Sequence, residues 1–337
     1  MLSLELSRPL HLDRTAALIA GVLSPALAWA VAPLDVAPLS LEPAPPAQPS
    51  PSAAAAASLS TEPTAPPVLP ASNAPRPWTV DIQPVLWNVA PSGDVKLPVT
   101  SGSGPGSFTT PGDSVSLACL ALDGPRARPA GAFSINADNW RFTFIGADDS
   151  NSRSAITAPD SFRLGAVPVA TGDKIDVDFH FGSYELTMGY MIWERDFKAR
   201  SEHPENAIPL VMRLYALGGG RLYDVSFNVS RISPGPQASA GSDEFFGEPI
   251  AGVRAEADFT KTFGLDVQID GGTQPFGNHN SYSLDIIAGF HYRPIDNLAL
   301  TIGYRQLAFN LSDGDDLGQF RYKGRLAGLY FGIDVRF

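Results

Sequence analysis

The sequence ends on Leu329-Tyr330-Phe331-Gly332-Ile333-Asp334-Val335-Arg336-Phe337, and this stretch decides the fold. Large apolar residues occupy every second position, and tyrosine, glycine, aspartate and arginine lie between them. Such alternation is typical of a β-strand with one apolar and one polar face. The pattern runs to the last residue and ends on an aromatic ring, as expected for a strand with one face toward lipid and the other toward a lumen. An amphipathic edge strand of a soluble β-sandwich is the alternative.

The same alternation recurs from residue 78 onward. Its clearest examples are residues 253–259, 263–269, 284–292 and 298–304. Together with weaker segments they predict about ten antiparallel strands, in a range of eight to twelve, which close into an all-β transmembrane barrel over residues 78–337. In residues 175–181 and 184–192 the apolar positions change parity, and Gly182-Ser183 at the change predicts a β-bulge.

The predicted connections differ in length. Those near residues 137, 261 and 295 are tight, whereas those over roughly 90–130, 147–173, 230–249, 271–281 and 310–321 are long and rich in Gly, Ser, Asp and Pro. Alternating short and long connections match the periplasmic turns and extracellular loops of a membrane barrel. The connection near 195–208 is an exception, because it is long for a periplasmic turn.

Residues 1–30 are predicted to be a signal peptide. Arg8 and Arg14 supply positive charge, a short apolar core follows, and Ala28-Trp29-Ala30 provides a cleavage site. An uncleaved anchor is the alternative. Residues 31–77, dominated by Pro, Ala and Ser, predict a disordered linker, because such a composition buries too little apolar surface to offset the chain entropy lost on folding.

Residues 78–337 resemble bacterial outer-membrane β-barrel proteins of the small, porin-like kind. The signal peptide, the strand alternation and the terminal Phe337 carry this resemblance. It implies that the chain lies in the outer membrane of a Gram-negative-type envelope, with the linker in the periplasm. It also implies that Phe331, Ile333, Val335 and Phe337 form an assembly signal. The expected partners are outer-membrane lipid and the barrel assembly machinery.

The polar face of the predicted strands is rich in ionisable residues. A ten-stranded barrel has little free space inside, so opposite charges there are expected to pair into a salt-bridged plug; a narrow polar pore for small cations or solutes is the alternative. The predicted lumen-facing residues are Arg141, Asp176, Asp178, His180, Glu185, Arg213, Arg254, Glu256, Asp258, Asp266, Asp285, His291, Arg305, Asp334 and Arg336, together with Asp81 and Asp270. The protein is thus expected to be a structural barrel or a narrow passive channel.

No enzyme, cofactor or metal site is predicted. The sequence lacks the motifs of outer-membrane proteases, phospholipases and lipid A deacylases, and the parity change leaves open whether His180 and Ser183 share a face. A net charge of −11 over 337 residues argues against nucleic acid as a partner. The single cysteine, Cys119, is expected to be incidental. A hydrolase with its site at the extracellular rim, or a surface adhesin that binds through the long loops, is the alternative function.

Overall fold

The computed structural model describes residues 78–99, 110–198, 209–233 and 237–337. The predicted signal peptide and linker lie outside the described residues. Within the described part of the chain, no helix is both long and apolar enough to cross a membrane.

Ten long strands and three short ones make up the described fold. In chain order the strands are β1 (Thr79–Lys96), β2 (Val115–Ser116), β3 (Arg126–Ala137), β4 (Trp140–Thr157), β5 (Phe162–Leu164), β6 (Val167–Val169), β7 (Lys174–Lys198), β8 (Pro209–Arg231), β9 (Ala238–Asp258), β10 (Phe263–Phe276), β11 (His279–Ile295), β12 (Leu298–Asp313) and β13 (Phe320–Arg336). Two short 3-10 helices cover Leu117–Leu120 and Asp316–Gly318.

The ten long strands form one closed antiparallel sheet. Each pairs with the next long strand in the chain, and β13 pairs with β1 from Asp81↔Arg336 to Lys96↔Arg321. The closure reaches the last residue, because the Phe337 N–H donates to the Val80 carbonyl at 2.9 Å and the Phe337 carbonyl accepts from the Val80 N–H at 3.1 Å. A closed sheet leaves no unpaired edge for hydrocarbon to meet. The predicted barrel of about ten strands is confirmed.

The two ends of the barrel differ in their connections. We call proximal the end that holds Thr79, Phe337 and the tight turns at 138–139, 259–262 and 296–297, and distal the opposite end. The three predicted tight turns are confirmed. The distal connections are shorter than predicted, because the strands extend further: β4 continues to Thr157, β9 begins at Ala238, and β10 joins β11 through residues 277–278 alone. Gly277 has a φ of +60° in that turn, a conformation that favours glycine.

In the proximal half the strands turn apolar side chains outward. These side chains are 37–60% exposed and form what we call the apolar belt: Ile82, Leu86, Phe142, Phe144, Leu186, Met188, Val253, Leu265, Ile269, Phe290, Leu300, Ile302, Leu329, Phe331 and Ile333. Exposed apolar side chains over so much of the wall are unfavourable in water and favourable in a bilayer.

In the distal half the same strands turn apolar side chains inward. On β7, Ile175, Val177, Phe179 and Phe181 are buried, and the inward positions continue through Glu185 without a break. The predicted bulge at Gly182-Ser183 is therefore wrong. The parity change marks the height at which the apolar side of a regular strand changes from inside to outside. The register of β7 against β8 shifts lower down, between Met191 and Trp193.

A small cap covers the distal core. The β5–β6 hairpin supplies the buried Leu164 and Val167, and the helix Leu117–Leu120 supplies two further buried leucines. Cys119, on that helix, is half-buried and packs against the same core. The cap closes the distal interior with apolar side chains.

Candidate functional site

The proximal lumen is lined by paired charges. Close to the proximal rim, the Arg336 guanidinium donates to Asp81 at 2.7 Å, and Asn136 donates to the same carboxylate at 2.8 Å. Across the barrel, Asp258 binds two arginines, Arg213 at 2.7 Å and Arg293 at 2.9 Å. These pairs join strands β1, β3, β8, β9, β11 and β13, so they tie the wall together from within.

A second group of charges lies deeper in the lumen. Glu256 accepts from Arg141 at 2.7 Å and from Arg254 at 2.9 Å, and Arg254 also lies 3.3 Å from Asp266. Asp266 in turn binds His291 through the imidazole Nε2. All of these side chains are largely buried and have lost most of their contact with water. The attraction between partners must therefore offset the lost hydration of each charge.

Arg221 lies at the centre of the deepest charged layer, which we call the Arg221 network. Its guanidinium donates to Glu185 and Asp270, each at 2.6 Å, and to Ser283 at 2.7 Å. Asp285 lies 3.3 Å from Arg221 and also accepts from Arg305 at 2.6 Å. The Arg221 and Asp285 side chains have no exposed surface.

Three carboxylates of the Arg221 network lie close enough together to bind one metal ion. One oxygen from each of Glu185, Asp270 and Asp285 lies within 4.8 Å of the others. However, Arg221 binds all three of these carboxylates, and Arg305 binds Asp285 as well. The two guanidinium groups therefore supply the positive charge that a metal would bring, and the donor set favours a structural role.

An aromatic layer fills the lumen directly above the charges. Phe181 stacks on Phe309 with ring centroids 4.7 Å apart, and Tyr322 meets Phe309 edge-on at 4.8 Å. Tyr223 lies between the two layers, since its ring is close to Phe181 and its hydroxyl donates to Glu248 at 2.8 Å. The polar lumen predicted from the sequence therefore occupies only the proximal half.

Most predicted lumen residues face inward. Those on the inner face of the wall are Asp81, Arg141, Glu185, Arg213, Arg254, Glu256, Asp258, Asp266, Asp270, Asp285, His291, Arg305, Asp334 and Arg336. Sequence reasoning missed Arg221 and Glu248, which take part in the same network. Arg221 is eight residues from Arg213, so continuing the alternation along β8 would have placed both on one face.

Three predicted lumen residues lie on the outer wall. Asp176, Asp178 and His180 alternate with the buried Ile175, Val177 and Phe179, so they point away from the lumen. The prediction was wrong because it took the polar face of every strand to be the inner one. The Asp176 carboxylate accepts from the Ala155 N–H and the Ser154 hydroxyl, each at 2.7 Å, and these bonds lower its pKa.

The His180 side chain belongs to a polar group that we call the outer-wall cluster: Asp148, Ser150, His180 and Asp224. The Ser150 Oγ lies 2.9 Å from His180 Nδ1 and 2.9 Å from an Asp148 oxygen. On its other side, His180 Nε2 lies 3.7 Å from Asp224. Ser183, the serine considered from the sequence, is buried on the inner face, so it does not meet His180.

Two residues of the expected assembly signal, Phe331 and Ile333, belong to the apolar belt, and Val335 and Phe337 follow them toward the proximal rim. Phe331, Ile333 and Phe337 are exposed, and Phe337 is the most exposed of them at 70%. Val335 is half-buried between Ile82 and Leu298, its partners on the two neighbouring strands. The alternation that the sequence displays is thus present in the folded β13.

No protein-family model matches the sequence, and no curated protein matches it. The search of solved structures finds the outer membrane protease OmpT from Escherichia coli, with a TM-score of 0.40 and 10% identity over 77% of this chain and 97% of that one. It also finds Neisserial surface protein A, with a TM-score of 0.27 and 16% identity over 77% and 97%. The toluene transporter TodX of P. putida gives 0.25 and 10% over 78% and 90%.

These proteins differ in activity, and the likeness to them assigns none to this chain. The assignment of the fold rests on the architecture. The sheet is closed, its strand number is even, its proximal lumen is polar, and the apolar belt surrounds the proximal half from outside. Those are the properties of a barrel that crosses a membrane. The chain has the fold of the bacterial outer-membrane β-barrels.

Proposed function

We propose that the protein is an outer-membrane barrel with a closed interior, which acts as a rigid structural body and not as an open channel. The observation that supports this is the filled lumen. Arg221, Tyr223, Asp285 and Leu307 come from β8, β11 and β12, and none of them has any exposed surface. A passage wide enough for water would leave the side chains along it accessible from at least one end.

The lengths of the connections support an orientation in the membrane. Three tight turns and both ends of the closed sheet lie at the proximal end, whereas the longest connections, residues 97–125 and 158–173, lie at the distal end. We therefore place the proximal end in the periplasm, where bacterial barrels have their short turns. The linker that precedes β1 then lies in the periplasm. The distal half, with its polar outer wall and apolar core, projects beyond the membrane into the extracellular space.

Conductance of the refolded chain in planar bilayers tests the closed interior. We expect no steady unitary current, while an open porin inserted into the same bilayers serves as the positive control. A stable ohmic conductance of defined size would overturn the proposal and restore the narrow channel.

Cysteine labelling provides a second test that does not depend on the absence of a current. In a Cys119→Ser background, Thr187→Cys places a thiol on the inner face, where Thr187 is 3% exposed, and Ser152→Cys places one on the exposed outer wall of the distal half. A water-soluble maleimide should label only the outer-wall cysteine of the folded protein. Equal labelling of both would mean that water fills the lumen.

A further inference from the structure

We propose that the outer-wall cluster is an ester-hydrolysing site that acts on membrane lipids, with Ser150 as nucleophile and His180 as general base; its location in the outer leaflet rests on the orientation proposed above. This activity is separate from the closed interior, because the cluster lies on the other side of the wall. The sequence leaves a hydrolase at the extracellular rim as an alternative but does not pair these two residues, because Ser150 and His180 are thirty residues apart and only the pairing of β4 with β7 brings them together.

The register of three neighbouring strands builds the cluster. Ser150 on β4 is the direct cross-strand partner of His180 on β7. Gly182, two residues further along β7, pairs with Asp148 on one side and with Asp224 on β8 on the other. The imidazole therefore lies between a hydroxyl on one strand and a carboxylate on another, which is the order of groups that serine hydrolysis requires.

The two nitrogens of His180 have different partners. Nε2 faces the Asp224 carboxylate at 3.7 Å, and in the reactive arrangement that we propose the proton stays on Nε2 while Nδ1 accepts from Ser150. Asp148, 3.3 Å from Nδ1, stabilises the imidazolium that forms when Ser150 loses its proton. Asp148 also competes for the Ser150 hydroxyl, so the reactive rotamer is the one in which the hydroxyl donates to His180.

The reaction is an acyl transfer to Ser150 followed by hydrolysis. The Ser150 Oγ attacks the ester carbonyl carbon while its proton passes to His180 Nδ1. The tetrahedral adduct then collapses: the bond to the alkoxy oxygen breaks, and that oxygen leaves as the alcohol with the proton from His180. Water next attacks the acyl-serine and gives a proton to His180, which returns it to Ser150 as the fatty acid departs.

Tyr184 places a further polar group beside the cluster. Gly182 has no side chain, and the Tyr184 ring lies against it so closely that a Cβ there would be 3.1 Å from a ring carbon and 3.3 Å from the hydroxyl. The Tyr184 hydroxyl therefore lies against Gly182, two residues along β7 from His180, and we assign to it the donor role toward the carbonyl oxygen as charge develops there.

The position of the cluster selects a lipid as substrate. Below Gly182 the outer face of β7 continues with Tyr184, Leu186 and Met188, all exposed, and Phe144 lies beside them on β4. The cluster thus lies directly above the apolar belt, at the boundary where the ester groups of a lipid join its acyl chains to its head group. His180 is one-third exposed, so a lipid reaches it laterally.

The test uses the refolded full-length chain in mixed micelles of detergent and phosphatidylethanolamine, with released fatty acid as the readout. Ser150→Ala and His180→Ala should each lower the rate at least 100-fold, and the double variant should be no slower than either, because the two side chains act as one unit. Ser152→Ala is the matched control: it changes an exposed serine of the same strand that faces Asp178, and its rate should equal that of the parent.

A fluorophosphonate probe gives a readout independent of turnover. We expect it to modify Ser150 in the parent and in the Ser152→Ala protein, and to fail in the His180→Ala protein, since the unactivated hydroxyl does not react. Fatty-acid release that is unchanged by Ser150→Ala would overturn the proposal, as would a parent protein with neither release nor labelling. Hydrolysis of a soluble p-nitrophenyl ester without hydrolysis of the lipid would overturn the assignment of a lipid substrate.

Discussion

The proximal and distal halves of this barrel place their apolar side chains on opposite sides of the same strands. On β12, Ile302 points outward and Arg305 inward in the proximal half, whereas Asn310 points outward and Phe309 inward in the distal half. The proximal half has the arrangement of a wall in lipid, and the distal half that of a protein in water. The difference shows that one continuous strand can have one part of its outer face exposed to lipid and another part exposed to water, without any break in its backbone.

The largest loss of stability is expected when Arg221, the buried cation at the boundary of the two halves, is replaced. Arg221→Met leaves Glu185, Asp270 and Asp285 buried with a single guanidinium, that of Arg305. Removing one partner from a buried ion pair costs about 3–5 kcal/mol, and here three carboxylates lose a shared partner, so the loss should exceed that range. We expect no folded band in heat-dependent gel mobility after refolding.

The control for this variant is an ion pair at the rim. Arg336→Gln removes the partner of Asp81, but Arg336 is 38% exposed and water replaces part of what is lost. The free energy of unfolding in urea should fall by less than for Arg221→Met, because Asn136 still donates to the buried Asp81 carboxylate. Equal losses from the two variants would show that the interior is hydrated at the level of Arg221.

The distal half should behave as the core of a soluble protein. Phe309→Ala removes a ring that stacks on Phe181, and such a truncation in a packed core costs roughly 3–5 kcal/mol. Phe290→Ala, on the apolar belt of the proximal half, should cost less because lipid fills the space. Urea unfolding in detergent micelles measures both. A larger loss from Phe290→Ala would contradict the assignment of the two halves.

Charge insertion on the outer wall tests the same comparison from outside. Ile302→Arg puts a cation on the apolar belt, where the expected cost is about 2–4 kcal/mol, and Asn310→Arg puts one eight residues further along the same face of β12, where the wall meets water. Only the first variant should lower the yield of folded barrel in lipid vesicles. Thr301, the inward neighbour of Ile302, is a poor control because it is buried against His291.

The smallest effect on stability is expected at Phe337. For this residue we expect the stability of the purified protein and its abundance in cells to differ most. Asp in place of this exposed ring, at the edge of the belt, should cost about 0–1 kcal/mol in unfolding experiments. If β13 is the assembly signal, Phe337→Asp should nevertheless lower the amount of protein in the outer membrane sharply. Normal abundance in cells would remove the basis for that role.

The sequence predicts the proximal half well because each strand there has one apolar and one polar side, as in residues 298–305 and 329–337. It predicts the distal half poorly for a physical reason. There the strands are rich in small and polar residues on their outer face, so segments such as 238–249 and 271–276 resemble loops. The inner positions of β7 change from apolar to charged along a regular strand, and the assignment of Asp176, Asp178 and His180 failed at that change.

The outer-wall cluster could not be predicted from the sequence, for a different reason. Nothing in the residues around Ser150 or Asp224 resembles a hydrolase motif, and the four side chains of the cluster come from three strands. Only the cross-strand register, which single-residue shifts would invert, decides that Ser150 meets His180 and that Ser183 does not.

The Arg221 network also constrains the order in which the barrel can form. Its members come from β7, β8, β9, β10, β11 and β12, so no hairpin or pair of neighbouring strands can neutralise the charges alone. A partly assembled sheet that entered hydrocarbon would carry unpaired carboxylates into it, at a high cost. Insertion is therefore favourable only for a sheet in which these six strands have already come together, and the need to pair the buried arginine makes membrane entry cooperative.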